Sequence, residues 1–215
     1  FLFRPLKKLT FGLLNGPQAL MQTVHLEIDE STVAEFLKRL GHAVAIVGVK
    51  PTTANTPPSS VKWPAEQTDI LRHVARMSRY YYSVYVNLNP LRPEILSPKG
   101  SVRDNRIASR TRVLIDIDGH DVPKEVAREQ KDAIKVKLGE PLIETDSGNG
   151  YGLIYPCDMP NDQHSKHVVR TLLNTLKAEF PCVDASCFNA GRLTRLIGTP
   201  NVRDGVRIPT ELLNV

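Results

Sequence analysis

Apolar and polar positions along the chain alternate in two distinct periods. Thr23 to Ile28 alternates with a period of two and predicts a strand. Ser31 then offers an N-cap, and Val33, Phe36, Leu37 and Leu40 follow at helical spacing up to Gly41. Ala43 to Val49 is a β-branched, apolar run that predicts a buried strand, and Pro51 to Ser60 is a Pro/Thr/Ser loop. Gln67 to Arg79 predicts a helix with Ile70, Leu71, Val74 and Met77 on one face, and Tyr82 to Leu88 a strand. From Asn89 to Thr111 periodicity vanishes among Pro90, Pro93, Pro98 and Gly100, which predicts a long loop.

The second half is more regular. Arg112 to Asp118 predicts a buried strand. Val122 to Leu138 predicts a helix with Val126, Ala133, Ile134 and Leu138 inside. Pro141 to Thr145 and Tyr151 to Tyr155 form a hairpin around Asp146-Ser147-Gly148-Asn149-Gly150. Pro160 to Phe180 carries a helix with Val168, Val169, Leu172, Leu173 and Leu176 at core spacing, and Val183 to Val215 breaks into short pieces. The order β-α-β-β-α predicts a split βαβ unit, hence an α+β, mostly antiparallel protein with helices on one sheet face.

Composition adds limits. The 215 residues are 41% hydrophobic and 24% charged, enough for a core without staples. No apolar run approaches about 18 residues, so the sequence predicts no transmembrane helix. The first residues mix Arg4, Lys7 and Lys8 with a short apolar stretch and read as a segment of uncertain structure, not a signal peptide. Phe1 in place of a start methionine predicts a trimmed chain. Three cysteines argue for a reducing compartment and a cytoplasmic location. Lys and Arg number 28 against 23 Asp and Glu, a net +5 that permits a polyanionic partner.

Three stretches carry chemistry. In Val113-Leu114-Ile115-Asp116-Ile117-Asp118, strand geometry turns Asp116 and Asp118 to one face, with Cα atoms roughly 6.5 Å apart, and sends Ile115 and Ile117 into the core. Two carboxylates on an apolar strand repel unless a cation lies between them, and hard oxygen donors favour Mg²⁺ or Mn²⁺ over zinc. Asp-x-Asp alone also fits a metal-dependent glycosyltransferase. A haloacid-dehalogenase-type phosphatase needs Thr or Val where this chain has His120, and a His-hydrophobic-His nuclease needs a histidine pair the chain lacks. Ser147 to Gly152 holds three glycines in five positions, which lets backbone approach a ligand; Leu153 and the following strand exclude a dinucleotide fingerprint. Asp184 precedes Arg192-Leu193-Thr194-Arg195 and Gly198-Thr199-Pro200-Asn201. The two arginines, three apart, would share a helix face and suit a triphosphate, and Asp184 would close the metal site.

Basic residues gather before the Asp-x-Asp strand at Arg103, Arg106, Arg110 and Arg112, with Lys99 nearby, a candidate track for a nucleic-acid backbone. Tyr80, Tyr81, Tyr82 and Trp63 are weaker candidates for base stacking. Cys157, His164, His167, Cys182 and Cys187 lack Cys-x-x-Cys spacing and read as buried thiols rather than a zinc site.

In this order the motifs resemble the catalytic core of the archaeo-eukaryotic primase superfamily, in its plasmid and phage primase-polymerase branch. Val113 to Asp118 resembles its hydrophobic-Asp-hydrophobic-Asp motif, Ser147 to Tyr155 its Ser-Gly-x-Gly motif, and Asp184 to Asn201 its third block. Val84 to Pro90 resembles the branch as well. The resemblance implies an RRM-like sheet over residues 111–215 packed beside a smaller N-terminal α/β module over 23–110, the two forming one core after a segment 1–22. It implies template-directed nucleotidyl transfer on single-stranded DNA with two divalent metals, Mg²⁺ or Mn²⁺. Asp116, Asp118 and Asp184 would hold the metals. Ser147, Gly148, Asn149, Gly150, Arg192, Arg195, Thr199 and Asn201 would line the nucleoside triphosphate, and a helicase domain or protein would lie beyond the C-terminus. One position departs: the second motif ends in a phosphate-contacting His, and this chain has Gly152. The missing imidazole implies a weaker triphosphate site; the alternative is that the glycine serves backbone clearance. A second reading of the same fold is a replication-associated nucleic-acid-binding module with weak or no catalysis.

Overall fold

The computed structural model describes residues 28–42, 44–49, 60–62, 67–79, 83–94, 102–118, 122–203 and 206–214. The N-terminal segment, the expected strand before Ile28, most of the Pro/Thr/Ser loop, Trp63, Tyr80 to Tyr82, Lys99 and His120 lie outside them.

Helix α1 (Glu30–Leu40) buries Val33, Phe36 and Leu40 and ends at Gly41 in the left-handed conformation (φ 71°). Its N-cap is Asp29 rather than Ser31. The Asp29 carboxylate accepts from the Thr32 amide at 3.0 Å and from the Ser31 hydroxyl, placing full negative charge at the positive end of the helix. Strands β1 (Ile46–Val49), β2 (Ser60–Lys62) and β3 (Ser83–Asn87) flank α2 (Gln67–Arg79) and form an antiparallel sheet. Its fourth strand comes from far along the chain: β7 (Leu193–Arg195) pairs with β3, giving the order β2-β1-β3-β7.

The second sheet is the expected split βαβ unit. Strand β4 (Ser109–Asp118) leads to α3 (Lys124–Leu138), then β5 (Ile143–Asp146), β6 (Gly150–Pro160) and α4 (Gln163–Glu179). Together with β10 (Glu211–Leu212), the antiparallel order is β10-β5-β6-β4. The closing strand of the unit is reduced to one bridge, Ile117 to Val183, on the free edge of β4. Strands β8 (Asn201–Arg203) and β9 (Val206–Ile208) form a separate hairpin.

Alternation along β4 divides the core. Val113, Ile115 and Ile117 face α3 and α4 in one apolar cluster, while Leu114, with Ile143 and Ile154, packs against Val33, Phe36, Val84 and Val86 of the N-terminal sheet and its helix. The two sheets thus share a core on one side of β4.

Three expectations need correction. The stretch 89–111 is not one open loop: Asp104–Arg106 forms a 3-10 turn, Leu91 bridges Ile107, and β4 starts at Ser109. The buried Asn89 carboxamide accepts from the amides of Thr111 and Arg112 at 2.8 and 2.9 Å, and Leu91, Val102 and Ile107 bury together without any regular period. On α4, Val169, Leu173 and Leu176 are buried, but Val168 and Leu172 stay 42% and 36% exposed because the apolar stripe is narrower than their spacing suggests. On α3 the inner face is Ala127, Lys131 and Ile134, whereas Ala133 and Leu138 are exposed.

Lys131 reaches the core because β5 offers it Glu144. The Lys131 ammonium lies 2.5 Å from Glu144 Oε1, the Lys135 ammonium 2.7 Å from Oε2, and Lys131 also sits 5.3 Å from the centre of the Tyr151 ring. Burial alone would raise the Glu144 pKa, but hydrogen bonds from the two lysines outweigh it and hold the carboxyl below its ordinary 4.5. A carboxylate with a depressed folded pKa contributes stability above its unfolded value and loses it as pH falls through the folded one. Glu144→Gln is therefore expected to cost about 1.5–3 kcal/mol at neutral pH. In urea titrations the gap to the unsubstituted protein should narrow as pH drops below 4.5. A gap constant down to acid pH would contradict this role.

Candidate active site

Asp116 and Asp118 share the Leu114 face of β4, as the alternation predicts, on the side away from α3 and α4. On the neighbouring strand β6, Gly152 stands opposite Asp116 and Gly150 opposite Asp118. A Cβ on Gly150 would come within 2.3 Å of the Ile117 carbonyl oxygen, so the close strand crossing requires glycine there.

Asp184 arrives from the other edge. The Asp118 amide donates to the Cys182 carbonyl and the Asp184 amide to the Asp116 carbonyl, both at 2.8 Å, on either side of the Ile117–Val183 bridge. The chain then turns tightly. The Ser186 amide and hydroxyl each donate to the Asp184 carboxylate at 2.8 Å. The Cys187 thiol lies 3.3 Å from Asp184 Oδ2 and 3.7 Å from Asp116 Oδ2. Arg192 spans both acids, its Nη2 being 3.4 Å from Asp116 Oδ2 and 3.5 Å from Asp184 Oδ2.

The electrostatics follow from this crowding. Asp116 keeps 38% of its side chain open and is crowded by charged neighbours. Desolvation raises its pKa, Arg192 opposes the rise, and the Asp184 and Asp118 charges add to it. For Asp184 burial also pushes upward, but the Ser186 and Cys187 hydrogen bonds and Arg192 outweigh it, and its pKa falls. Burial and the Asp116 charge push the Cys187 thiol up, so the thiol keeps its proton here.

Among the described residues, the donor atoms grouped within 4.8 Å are those of Asp116, Asp184 and Cys187. Asp118 shares the Asp116 face but stands outside this group. Cys187 is the member that the sequence reading set aside as a buried thiol; its spacing of three from Asp184, in a segment with no helical or strand period, was the available signal.

The remaining candidates divide. The Ser147 hydroxyl accepts from the Gly150 amide at 3.2 Å and donates to the Gly150 carbonyl at 3.0 Å, while Gly148 takes φ 87° and donates its amide to Asp146. Asn149 is half-buried at the turn. Asn201 donates to the Ser147 carbonyl at 2.9 Å, and the fully buried Thr199 hydroxyl donates to the Leu196 carbonyl at 2.6 Å. The Asn201 contact ties the hairpin to the third block.

The two arginines do not share a helix face. Residues 193–195 are strand, where a spacing of three points side chains to opposite sides. Arg195 instead donates to the Tyr85 hydroxyl at 2.9 Å and lies 4.8 Å from the centre of that ring. Of the basic loop, Arg103 is exposed and Arg106 half-buried. Arg110 is 3% exposed and donates to the Phe188 carbonyl, so the three do not line one open track.

No protein-family model matches the chain, and no curated protein matches its sequence. Solved structures do match it in fold. The primase-polymerase AEP domain of cyanophage S-2L superposes with a TM-score of 0.63 at 16% identity, over 87% of this chain and 91% of that one. Primase RepB′ gives 0.56 at 17% identity, over 86% of this chain and 56% of that one. The catalytic domain of RepB′ in complex with initiator DNA gives 0.55 at 17%, over 85% and 82%. The fold is of the archaeo-eukaryotic primase type.

Within this primase fold, Gly152 sits beside Asp116 on the sheet, where the resemblance places a histidine. A Cβ there would lie 2.6 Å from Thr145 Oγ1 and 3.5 Å from Leu114 Cδ1. Thr145 is itself buried and donates to the Gly152 carbonyl at 3.2 Å. The crowding favours clearance over a vacated imidazole site. Gly152→His is expected to cost about 1–3 kcal/mol through overpacking, with part recovered when Thr145→Ala is added. Chemical denaturation of the single and double variants checks this, and a fully stable Gly152→His would contradict it.

Proposed function

We propose that the chain is a primase-type nucleotidyltransferase that joins nucleoside triphosphates along a single-stranded DNA template with Mg²⁺ or Mn²⁺. One observation carries the reading: Asp116 and Asp184, from two distant segments, lie side by side under the guanidinium of Arg192 on a primase-type sheet. The donor chemistry fits a divalent cation. Two carboxylates this close need positive charge between them, and Arg192 now stands in that role. Asp116 and Asp184, with Asp118 beside them, would hold the metal, which when bound activates the attacking hydroxyl and steadies the leaving pyrophosphate.

The chain's own residues do the rest. Arg192, displaced from the carboxylates, is within reach of a triphosphate and binds it through paired N–H donors. Ser147 to Gly150 presents a glycine-rich turn at the rim, fixed from behind by Asn201. Among the described residues of the basic loop, Arg103 is the exposed cation and the candidate for template phosphates. That a neighbour of this fold is a primase in complex with initiator DNA supports a DNA template, and a helicase partner belongs to the same reading. Among the described residues no helix is long and apolar enough to cross a membrane.

The second reading, a nucleic-acid-binding module with weak or no catalysis, draws on the closed Arg192 bridge. The glycosyltransferase reading draws no support from this fold. Labelled-nucleotide extension on single-stranded templates with each metal separates them. The unsubstituted chain is expected to extend, Asp116→Asn to lose at least about a hundredfold, and Arg192→Gln to raise nucleotide KM more than it alters single-strand affinity. Single-strand binding without extension would select the second reading.

A further inference from the structure

Cys187 belongs to the apolar cluster beneath α3 and α4 and borders the carboxylates on its other side. It is 3% exposed, yet its sulfur points at two carboxylates, 3.3 Å from Asp184 Oδ2 and 3.7 Å from Asp116 Oδ2. The other two thiols differ in their polar contacts: Cys157 lies against the Arg110 carbonyl, and Cys182 sits in the same apolar cluster as Cys187. The position of Cys187 is fixed by the turn that starts at Asp184, since its own amide donates to the Asp184 carbonyl. The three donor atoms lie within 4.8 Å of one another, close to the span of one coordination sphere whose donors sit about 2.0–2.3 Å from the ion. A cationic group, Arg192 Nη2, already lies against the same two carboxylate oxygens.

The donor set decides which ion gains most. Carboxylate oxygens serve Mg²⁺ and Mn²⁺ alike, but a sulfur donor adds nothing for Mg²⁺ and much for softer ions such as Co²⁺, Zn²⁺ and Cd²⁺. We propose that Cys187 is a third ligand of the Asp116–Asp184 centre and makes it selective for thiophilic divalent ions over Mg²⁺. As the sulfur–metal bond forms, the thiol proton leaves to solvent and Arg192 gives up its place between the carboxylates. The inference rests on the metal-dependent reading above and deepens it.

Cobalt(II) tests it directly, because sulfur ligation gives a sulfur-to-cobalt charge-transfer band that oxygen ligation does not. The full chain is titrated with Co²⁺ alone and against Mg²⁺, with no nucleotide present. The expected result is a charge-transfer band that saturates with one ion, survives Cys157→Ser and disappears in Cys187→Ser. Co²⁺ affinity in Cys187→Ser should fall at least about tenfold while Mg²⁺ affinity is unchanged. Co²⁺ binding to the unsubstituted chain without the band overturns the inference and leaves the metal-dependent reading standing. A band that persists in Cys187→Ser also overturns it. Failure of the unsubstituted chain to bind Co²⁺, Mn²⁺ or Mg²⁺ overturns both. The spectrum of the unsubstituted chain is decisive even where the serine variant does not fold.

Discussion

Two main-chain hydrogen bonds around the Ile117–Val183 bridge set the terms for everything else in the cleft. They fasten Asp184 to the edge of β4 and force its carboxylate against Asp116. In a half-buried setting that repulsion is costly and must be answered by positive charge. Arg192 answers it, and its place depends on a different part of the fold. The Arg192 carbonyl accepts from the Leu88 amide, and β7 continues that pairing along β3. The split βαβ sheet therefore supplies the acids and the N-terminal sheet anchors the cation.

Such a site needs the two sheets held in register. The shared cluster does this, with Leu114, Ile143, Ile154 and Leu212 from one sheet meeting Val84 and Val86 of the other and Val33, Phe36 and Leu40 of α1. The chain crosses closely at Gly198, which takes φ 88° and whose carbonyl accepts from the Asp29 amide at 2.8 Å. A Cβ there would lie 2.7 Å from the Asp29 carbonyl oxygen. The N-terminus of α1 and the loop after β7 can approach this far only because that residue is glycine. Packing far from the carboxylates thus limits how far the Arg192 segment can drift.

Much of this was legible in the sequence, and the rest was hidden for identifiable reasons. Local period exposed α1, α2, the β5–β6 hairpin and the shared face of Asp116 and Asp118, because each depends on neighbours within a few residues. Long-range pairing has no such signature. Nothing local to Leu193–Arg195 says that it joins β3, so Arg192 and Arg195 read as a helical pair when strand geometry sends one to the carboxylates and the other to Tyr85. Charge misled in the other direction: Arg110 read as part of a basic nucleic-acid track and is buried against the Phe188 carbonyl, and Lys131, absent from the expected inner face of α3, is buried against Glu144. Cys187 was set aside as a buried thiol because its spacing of three from Asp184 falls in a segment with no helical or strand period to place the two side by side.

The central claim is that Arg192 occupies the position of a catalytic cation between Asp116 and Asp184. Anomalous diffraction from crystals grown with Mn²⁺ and a non-hydrolysable nucleoside triphosphate tests it most directly. The account predicts an anomalous peak bonded to both carboxylates, with the Arg192 guanidinium moved from them onto the phosphates. An Arg192 still bridging the two acids, with manganese and triphosphate bound elsewhere, would contradict it.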